Sequence, residues 1–79
     1  MKRFFGKCCI ENKNIMLEFY ILNFYDKYGI EIFNKGKNKA VSSVFNITDD
    51  ENLINKIAAK LFNSKTLPEN LIEEVSYFI

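Results

Sequence analysis

Apolar and polar residues alternate along most of the first 47 residues, and a period of two predicts β-strands. The alternation is strongest in residues 15–22, IMLEFYIL, and residues 3–10 fit beside them as the other arm of a hairpin that turns at 12–13. Two further runs, 28–33 and 40–45, flank a polar segment in which Gly36 suits a turn position with positive φ. We expect a loop or an irregular strand end at 23–27.

The first hairpin has one favoured register, in which the numbers of paired residues sum to 25. This register sets Lys7 against Glu18 and Phe5 against Tyr20, and both cross-strand pairs are favourable. A slip of one residue would mix the apolar and polar faces.

The period changes to that of a helix at Thr48. Residues 48–51, TDDE, form a capping box that predicts the start of a first helix with Thr48 as its N-cap. Residues 66–69, TLPE, place a proline near the first turn of a second helix. The two apolar stripes that follow these starts are Leu53, Ile54, Ile57, Ala58, Leu61 and Phe62, and then Leu71, Ile72, Val75, Phe78 and Ile79.

This order predicts a single α+β domain over residues 1–79, with a sheet half at 1–47 and a helical half at 48–79. The fold is a four-stranded antiparallel sheet, made of two hairpins, followed by two α-helices packed on one face. The side chains expected to face the helices are Phe4, Cys8, Ile10, Ile15, Leu17, Phe19, Ile21, Ile30, Ile32, Val41, Phe45 and Ile47.

The opposite face of the predicted sheet is half apolar, whereas an uncovered sheet face is normally mostly polar. Exposed apolar patches usually mark partner sites. The predicted partner-binding residues are Phe5, Met16, Tyr20, Leu22 and Phe33, with Lys7 and Glu18 setting orientation at the rim; Cys9 and Val44 are expected on the same face. An alternative is that the sheet curls, or that the 23–27 loop folds over this face.

The charge is divided unevenly between the two halves. Residues 1–47 carry eight Lys or Arg against four Asp or Glu, and residues 48–79 carry three against six. A basic half with aromatic residues favours nucleic acid as an alternative partner. The residues that would contact it are Lys35, Lys37 and Lys39 of the second hairpin and Lys2 and Arg3 of the first strand.

Little in the sequence points to catalysis, and we expect no catalytic residue, no cofactor and no metal site. The chain has no histidine to serve a cysteine nucleophile, and Cys8 and Cys9 should point to opposite faces of a strand. The acidic pairs at 49–51 and 73–74 suit a helix first turn and a solvated helix face. Without an apolar run of membrane-spanning length or a signal peptide, we expect a cytoplasmic protein.

Four segments carry a resemblance to a known family. ENKNIMLEFYIL at 11–22, YGIEI at 28–32, NITDDENLINKIAAKLFNS at 46–64 and TLPENLIEEVSYFI at 66–79 resemble a family of small uncharacterised proteins from low-GC spore-forming bacteria. The family commonly has Thr-Pro where this chain has Thr66-Leu67-Pro68, which blurs the start of the second helix. The resemblance implies a bacterial domain of unknown function and supplies no site residues.

Together these observations predict a small non-catalytic module for protein–protein interaction. A regulator, an adaptor or a phage-type inhibitor would each use the outer face of the sheet. Homodimerisation through that face is the simplest version, because a two-fold axis pairs a self-complementary patch.

Overall fold

The computed structural model describes residues 1–36 and 39–78 of the chain. It confirms the predicted α+β fold, in which a four-stranded antiparallel sheet precedes two helices. The elements are β1 (Lys2–Ile10), β2 (Ile15–Phe24), β3 (Lys27–Asn34), β4 (Ala40–Thr48), α1 (Glu51–Asn63) and α2 (Leu71–Val75), with short 3-10 turns at Glu11–Lys13 and Pro68–Asn70.

The strands follow one another across the sheet in chain order, so β1 and β4 are its two edges. The predicted loop at 23–27 is in fact a tight turn, because β2 and β3 pair up to Phe24 and Lys27. Tyr25 and Asp26 both have positive φ there, as the twist of a two-residue hairpin turn requires. The Tyr25 side chain is 98% exposed and therefore does not fold over the sheet.

Gly36 was expected to have a positive φ, and this expectation is wrong. The glycine is needed because its backbone lies against another turn. A Cβ at Gly36 would collide with the carbonyl oxygen of Asn14.

The predicted register of the first hairpin is correct from Gly6 to Ile10, but a bulge shifts it between Phe4 and Gly6. Phe4, not Phe5, pairs with Tyr20. Both predicted faces are therefore wrong at this point: Phe5 lies on the helix side and Phe4 on the opposite side. The physical cause is Phe62 of α1.

Phe62 lies over Gly6, where a Cβ would be 2.8 Å from its ring. Its ring also packs edge-on against Phe5 and Phe19, with centroid distances of 6.0 and 5.3 Å. Gly6 thus leaves space for a cluster of three aromatic rings, and the bulge lets Phe5 reach that cluster.

The predicted faces of β4 are also partly wrong. Val44 pairs with Ile30 and packs against the core, whereas Val41 and Phe45 point outward and are exposed. Ile47 faces the core as predicted. Val44 and Ile47 can face the same side because β4 bulges between them, where Asn46 has a φ of 57°.

The core lies between the sheet and the helices. Its fully buried side chains come from β2, β3 and both helices, while β1 and β4 contribute partly buried residues. The buried core residues are Leu17, Phe19, Ile21, Ile30, Ile32, Ile54, Ile57, Ala58, Leu61, Leu71 and Val75.

The first helix begins two residues later than the capping box predicts. Asp50 is the N-cap, and its carboxylate accepts hydrogen bonds from the backbone N–H groups of Asn52 and Leu53 at 2.9 and 3.2 Å. Thr48 instead accepts a hydrogen bond from the Asp50 N–H at 3.0 Å, which shapes the turn before the helix.

The second helix is short and begins after a 3-10 turn whose first residue is Pro68. Its stripe is only partly buried: Leu71 and Val75 are in the core, but Ile72 is exposed. Ile79, the last predicted member, lies outside the described residues. Within 1–36 and 39–78, neither helix has the length and apolar character that crossing a membrane requires.

Replacing the observed cap tests the start of α1. We expect Asp50→Ala to lower the free energy of unfolding by about 1 kcal/mol, because two N–H groups lose their acceptor. Asp49→Ala is the matched control, since the Asp49 side chain is exposed and only approaches Lys27 at 4.0 Å. Urea unfolding of both variants measures the difference, and an equal loss in both would contradict Asp50 as the cap.

Candidate functional site

The helices cover one face of the sheet, and we call the other side the open face. Cross-strand pairing and alternation assign its members, which come from all four strands and from the residue that follows β3. They are Lys2, Phe4, Lys7, Cys9, Met16, Glu18, Tyr20, Leu22, Phe24, Lys27, Gly29, Glu31, Phe33, Lys35, Val41, Ser43 and Phe45.

Glu18 lies on the inner strand β2 and has two partners. The Tyr20 hydroxyl donates a 2.7 Å hydrogen bond to one carboxylate oxygen, and the Lys35 ammonium lies 3.4 Å from the other. The Glu18 side chain is consequently mostly covered by its own neighbours. It does not act as a free charge at the rim, as the sequence suggested.

Glu31 on β3 is satisfied in the same way. The Lys2 ammonium donates to one oxygen and the Ser43 hydroxyl to the other, both at 2.9 Å. Lys2 also lies over the ring of Tyr20, 4.5 Å from its centroid. A continuous polar network therefore runs across all four strands in the middle of the open face.

The pKa values follow from these contacts. The Tyr20 hydroxyl, with a smaller contribution from Lys35, holds the pKa of Glu18 below its ordinary value. The hydrogen bond to Glu18 in turn raises the pKa of Tyr20, and Glu31 raises the pKa of Lys2. Each shift favours the charge state in which the network is bonded.

Apolar side chains lie around this network rather than at its centre. Phe4 packs edge-on against Tyr20 with 5.6 Å between ring centroids, and Phe24 packs against Phe45 at 5.7 Å. Phe4 and Phe45 are nevertheless 52% and 53% exposed. Met16, near the start of β2, is also exposed.

Six of the seven predicted partner-binding residues lie on the open face, and five of these six are not buried: Met16, Tyr20, Phe33, Lys7 and Glu18. Phe5 does not, because the bulge directs it toward Phe62. Leu22 points to this side but is only 3% exposed. It pairs with Gly29, and β4 crosses so close above Gly29 that a Cβ there would collide with the Val44 carbonyl oxygen. Leu22 therefore offers almost no surface to a partner.

Sequence reasoning missed four apolar members of the open face: Phe4, Phe24, Val41 and Phe45. The two bulges account for most of these errors. A signal for each exists in the sequence, since Gly6 follows two phenylalanines and Asn46 interrupts the alternation in β4.

The predicted nucleic-acid contacts do not form one basic surface. Lys2 and Lys35 are bound to the open-face carboxylates, and Arg3 points to the other side, where its guanidinium donates to Asn55 at 3.4 Å. Lys39 is exposed beside β4, and Lys37 lies outside the described residues. The described cations are therefore partly neutralised and divided between two faces.

The two cysteines diverge as predicted for a strand. Cys8 packs against the core and Cys9 is exposed, next to a shallow groove of about 420 Å³ that Met16 and Lys35 also line. Burial raises the pKa of the Cys8 thiol. Among residues 1–36 and 39–78, no three cysteine or acidic side chains come together as a metal site would require.

In comparisons with known proteins, the chain matches no protein-family model, no curated protein and no solved structure. The resemblance to small proteins of spore-forming bacteria therefore stays a prediction. What the site does must be argued from its own geometry.

The polar network predicts a pH dependence centred on Glu18. Since its pKa is lowered by folding, ionised Glu18 stabilises the fold above the ordinary glutamate pKa, and this contribution disappears as the pH falls through the lowered value. We expect Tyr20→Phe to move the Glu18 pKa upward, as followed by carboxyl-carbon NMR. Tyr25→Phe, which alters an exposed tyrosine, is the control. An unchanged Glu18 titration in Tyr20→Phe would show that the hydroxyl is not the main cause.

The two thiols should differ in reactivity. We expect a maleimide to label Cys9 much faster than Cys8, because Cys9 is exposed and burial disfavours the Cys8 thiolate. Cys9→Ser should remove the fast phase, and Cys8→Ala should retain it. Equal rates for the two cysteines would contradict their placement on opposite faces.

Proposed function

We propose that this chain is a non-catalytic protein–protein interaction module that binds its partner through the open face. The observation that carries the proposal is the combination of exposed aromatic and aliphatic side chains with a polar network that is already satisfied. A regulator, an adaptor or a phage-type inhibitor would use such a surface in the same way.

The network lowers the cost of covering the face. Removing a charged group from water is expensive unless it is paired and hydrogen-bonded. Glu18 and Glu31 are only 15% and 16% exposed, and each has two partners within the chain. A partner can therefore cover the centre of the face without leaving a bare carboxylate behind.

The apolar side chains supply the favourable free energy of binding. Fully burying a phenylalanine side chain is worth about 1.5–3 kcal/mol, so a half-exposed ring still offers about 1 kcal/mol to a partner. Phe4 and Phe45 are half exposed, and Met16 and Val41 add aliphatic surface. These residues lie at different ends of the sheet, which favours a broad interface over a single pocket.

Lys7 gives the partner an orientation. It lies on the edge strand β1 opposite Glu18, but the carboxylate is bonded to Lys35 and Tyr20 instead. Within the described part of the chain, Lys7 has no ion-pair partner within 4.0 Å. A partner with a carboxylate at this position would complement the face.

Substitutions on the open face test the proposal. Affinity capture with the wild-type chain supplies candidate partners, and calorimetry with a purified candidate then measures binding. We expect Phe4→Glu and Met16→Glu each to weaken binding at least about tenfold, which corresponds to about 1.4 kcal/mol. Tyr77→Glu is the control, because Tyr77 is also an exposed apolar side chain but lies in the turn after α2.

Two outcomes would count against the proposal. Open-face variants that bind as tightly as wild type, or a control that loses as much affinity, would place the interaction elsewhere. Retention on heparin that falls steeply with salt would favour the nucleic-acid alternative instead.

A further inference from the structure

The two edges of the sheet differ in a way that bears on self-association. An edge strand presents unpaired backbone groups, and proteins usually protect it with charges or bulges. β1 has both, since it carries Lys2, Arg3 and Lys7 and is bulged between Phe4 and Gly6. β4 has no charged residue anywhere in Ala40–Thr48.

The first part of β4 is also regular. Its pairing with β3 is unbroken from Ala40 to Val44, and the bulge comes only after Val44. Two apolar side chains project from this edge toward the open face: Val41, 60% exposed, lies in the regular part, and Phe45 lies just beyond it, at the bulge. The unprotected edge is therefore straight enough to pair and is lined by apolar surface.

The helix side of the same edge borders a groove of mixed polarity. A shallow groove of about 310 Å³ lies between β4 and the second helical segment, lined by Ala40, Val41, Ser42, Pro68, Glu69 and Ile72. Ile72 is exposed here although it belongs to an amphipathic helix. A strand added beside β4 would pass along this groove.

We propose that a second copy of the chain pairs with this edge, β4 against β4, in an antiparallel dimer with its two-fold axis at Ser43. Directly opposite residues in a sheet must point to the same face, so only registers centred on a residue are allowed. Centring on Ser43 sets Val41 opposite Phe45 of the second copy, twice. Centring on Ser42 would leave Phe45 opposite residue 39.

The chosen register is self-complementary. Pairs between an aromatic and a β-branched side chain stabilise a sheet by about 0.2–1 kcal/mol each, and the two-fold axis supplies two of them. The two four-stranded sheets become one, with all helices on one side and both open faces on the other. The dimer does not depend on the proposed function, and it would double the surface offered to a partner.

Sedimentation equilibrium of the full chain over a range of concentrations tests the dimer. We expect a reversible monomer–dimer equilibrium for wild type and a dissociation constant at least about tenfold higher for Phe45→Lys. Phe4→Lys is the matched control. Phe4 has nearly the same exposure and one edge-on ring contact, but it lies on the opposite edge.

A cross-link tests the register independently of stability. In a Cys8→Ala, Cys9→Ser background, Ser43→Cys places two thiols directly opposite across the axis, within the Cα separation that a disulfide spans. Ser42→Cys places its two cysteines diagonally across the strand pair. Their Cα atoms are then about 7–8 Å apart, which is beyond the separation that a disulfide spans. Copper–phenanthroline oxidation should therefore yield covalent dimers of the first variant in preference to the second.

The results separate this dimer from the alternatives. A wild-type chain that stays monomeric at all concentrations overturns it. Equal weakening by Phe45→Lys and Phe4→Lys would place the contact on the open face, and preferential cross-linking of Ser42→Cys would overturn the register. Because partner binding is measured with Phe4→Glu and Met16→Glu, either proposal can fail while the other stands.

Discussion

Two bulges determine which apolar side chains of this sheet meet solvent. The first exists because Phe62 occupies the space above Gly6, which brings Phe5 to the core side and leaves Phe4 outside. The second surrounds Asn46 and lets both Val44 and Ile47 reach the core while Phe45 stays exposed. With a strict period of two, Phe4 and Phe45 would have been buried, and the open face would have lost its two most exposed rings.

The polar network makes such a face compatible with a monomer that stays folded. On the helix side the core joins the four strands, but on the open side the described residues form no second layer. The bonds from Lys2 and Ser43 to Glu31, and from Tyr20 and Lys35 to Glu18, tie the strands together there. Surface ion pairs contribute little singly, and these gain from being partly covered and linked through shared groups.

The sequence predicts the fold well because its signals are local. Alternation in 15–22, the helical stripe of α1 and the proline at 68 each depend on neighbouring residues, and the structure contains the corresponding elements. The faces of β1 and β4 were harder to predict. One extra residue in a strand moves every side chain beyond it to the opposite face of the sheet. Gly6 after two phenylalanines is a local signal for the bulge, but it does not say which ring faces the core, because Phe5 packs there against Phe62, which lies far away in sequence.

The same limit applies to the candidate site. Met16, Tyr20 and Phe33 were placed correctly since β2 and β3 are regular inner strands. The exposure of Leu22 was misjudged because alternation gives the face of a side chain but not its burial, and Leu22 is only 3% exposed. The ion network was missed for a related reason: Lys35 reaches Glu18 from the end of β3, and cross-strand pairing alone assigned that role to Lys7.

The bulges of β1 and β4 also determine which edge of the sheet can pair with another strand. A bulge and three cations stop β1 from acting as a template for another strand, and they place Lys7 where a partner of the open face can meet it. β4 is bulged only beyond Val44, so its first half keeps the regular geometry that a further strand needs for pairing. An uncharged edge with exposed Val41 and Phe45 is a hazard for an isolated monomer. Pairing through β4 would remove that hazard by using Val41 and Phe45, and it would leave Phe4, Met16 and Lys7 free to contact a partner of the open face.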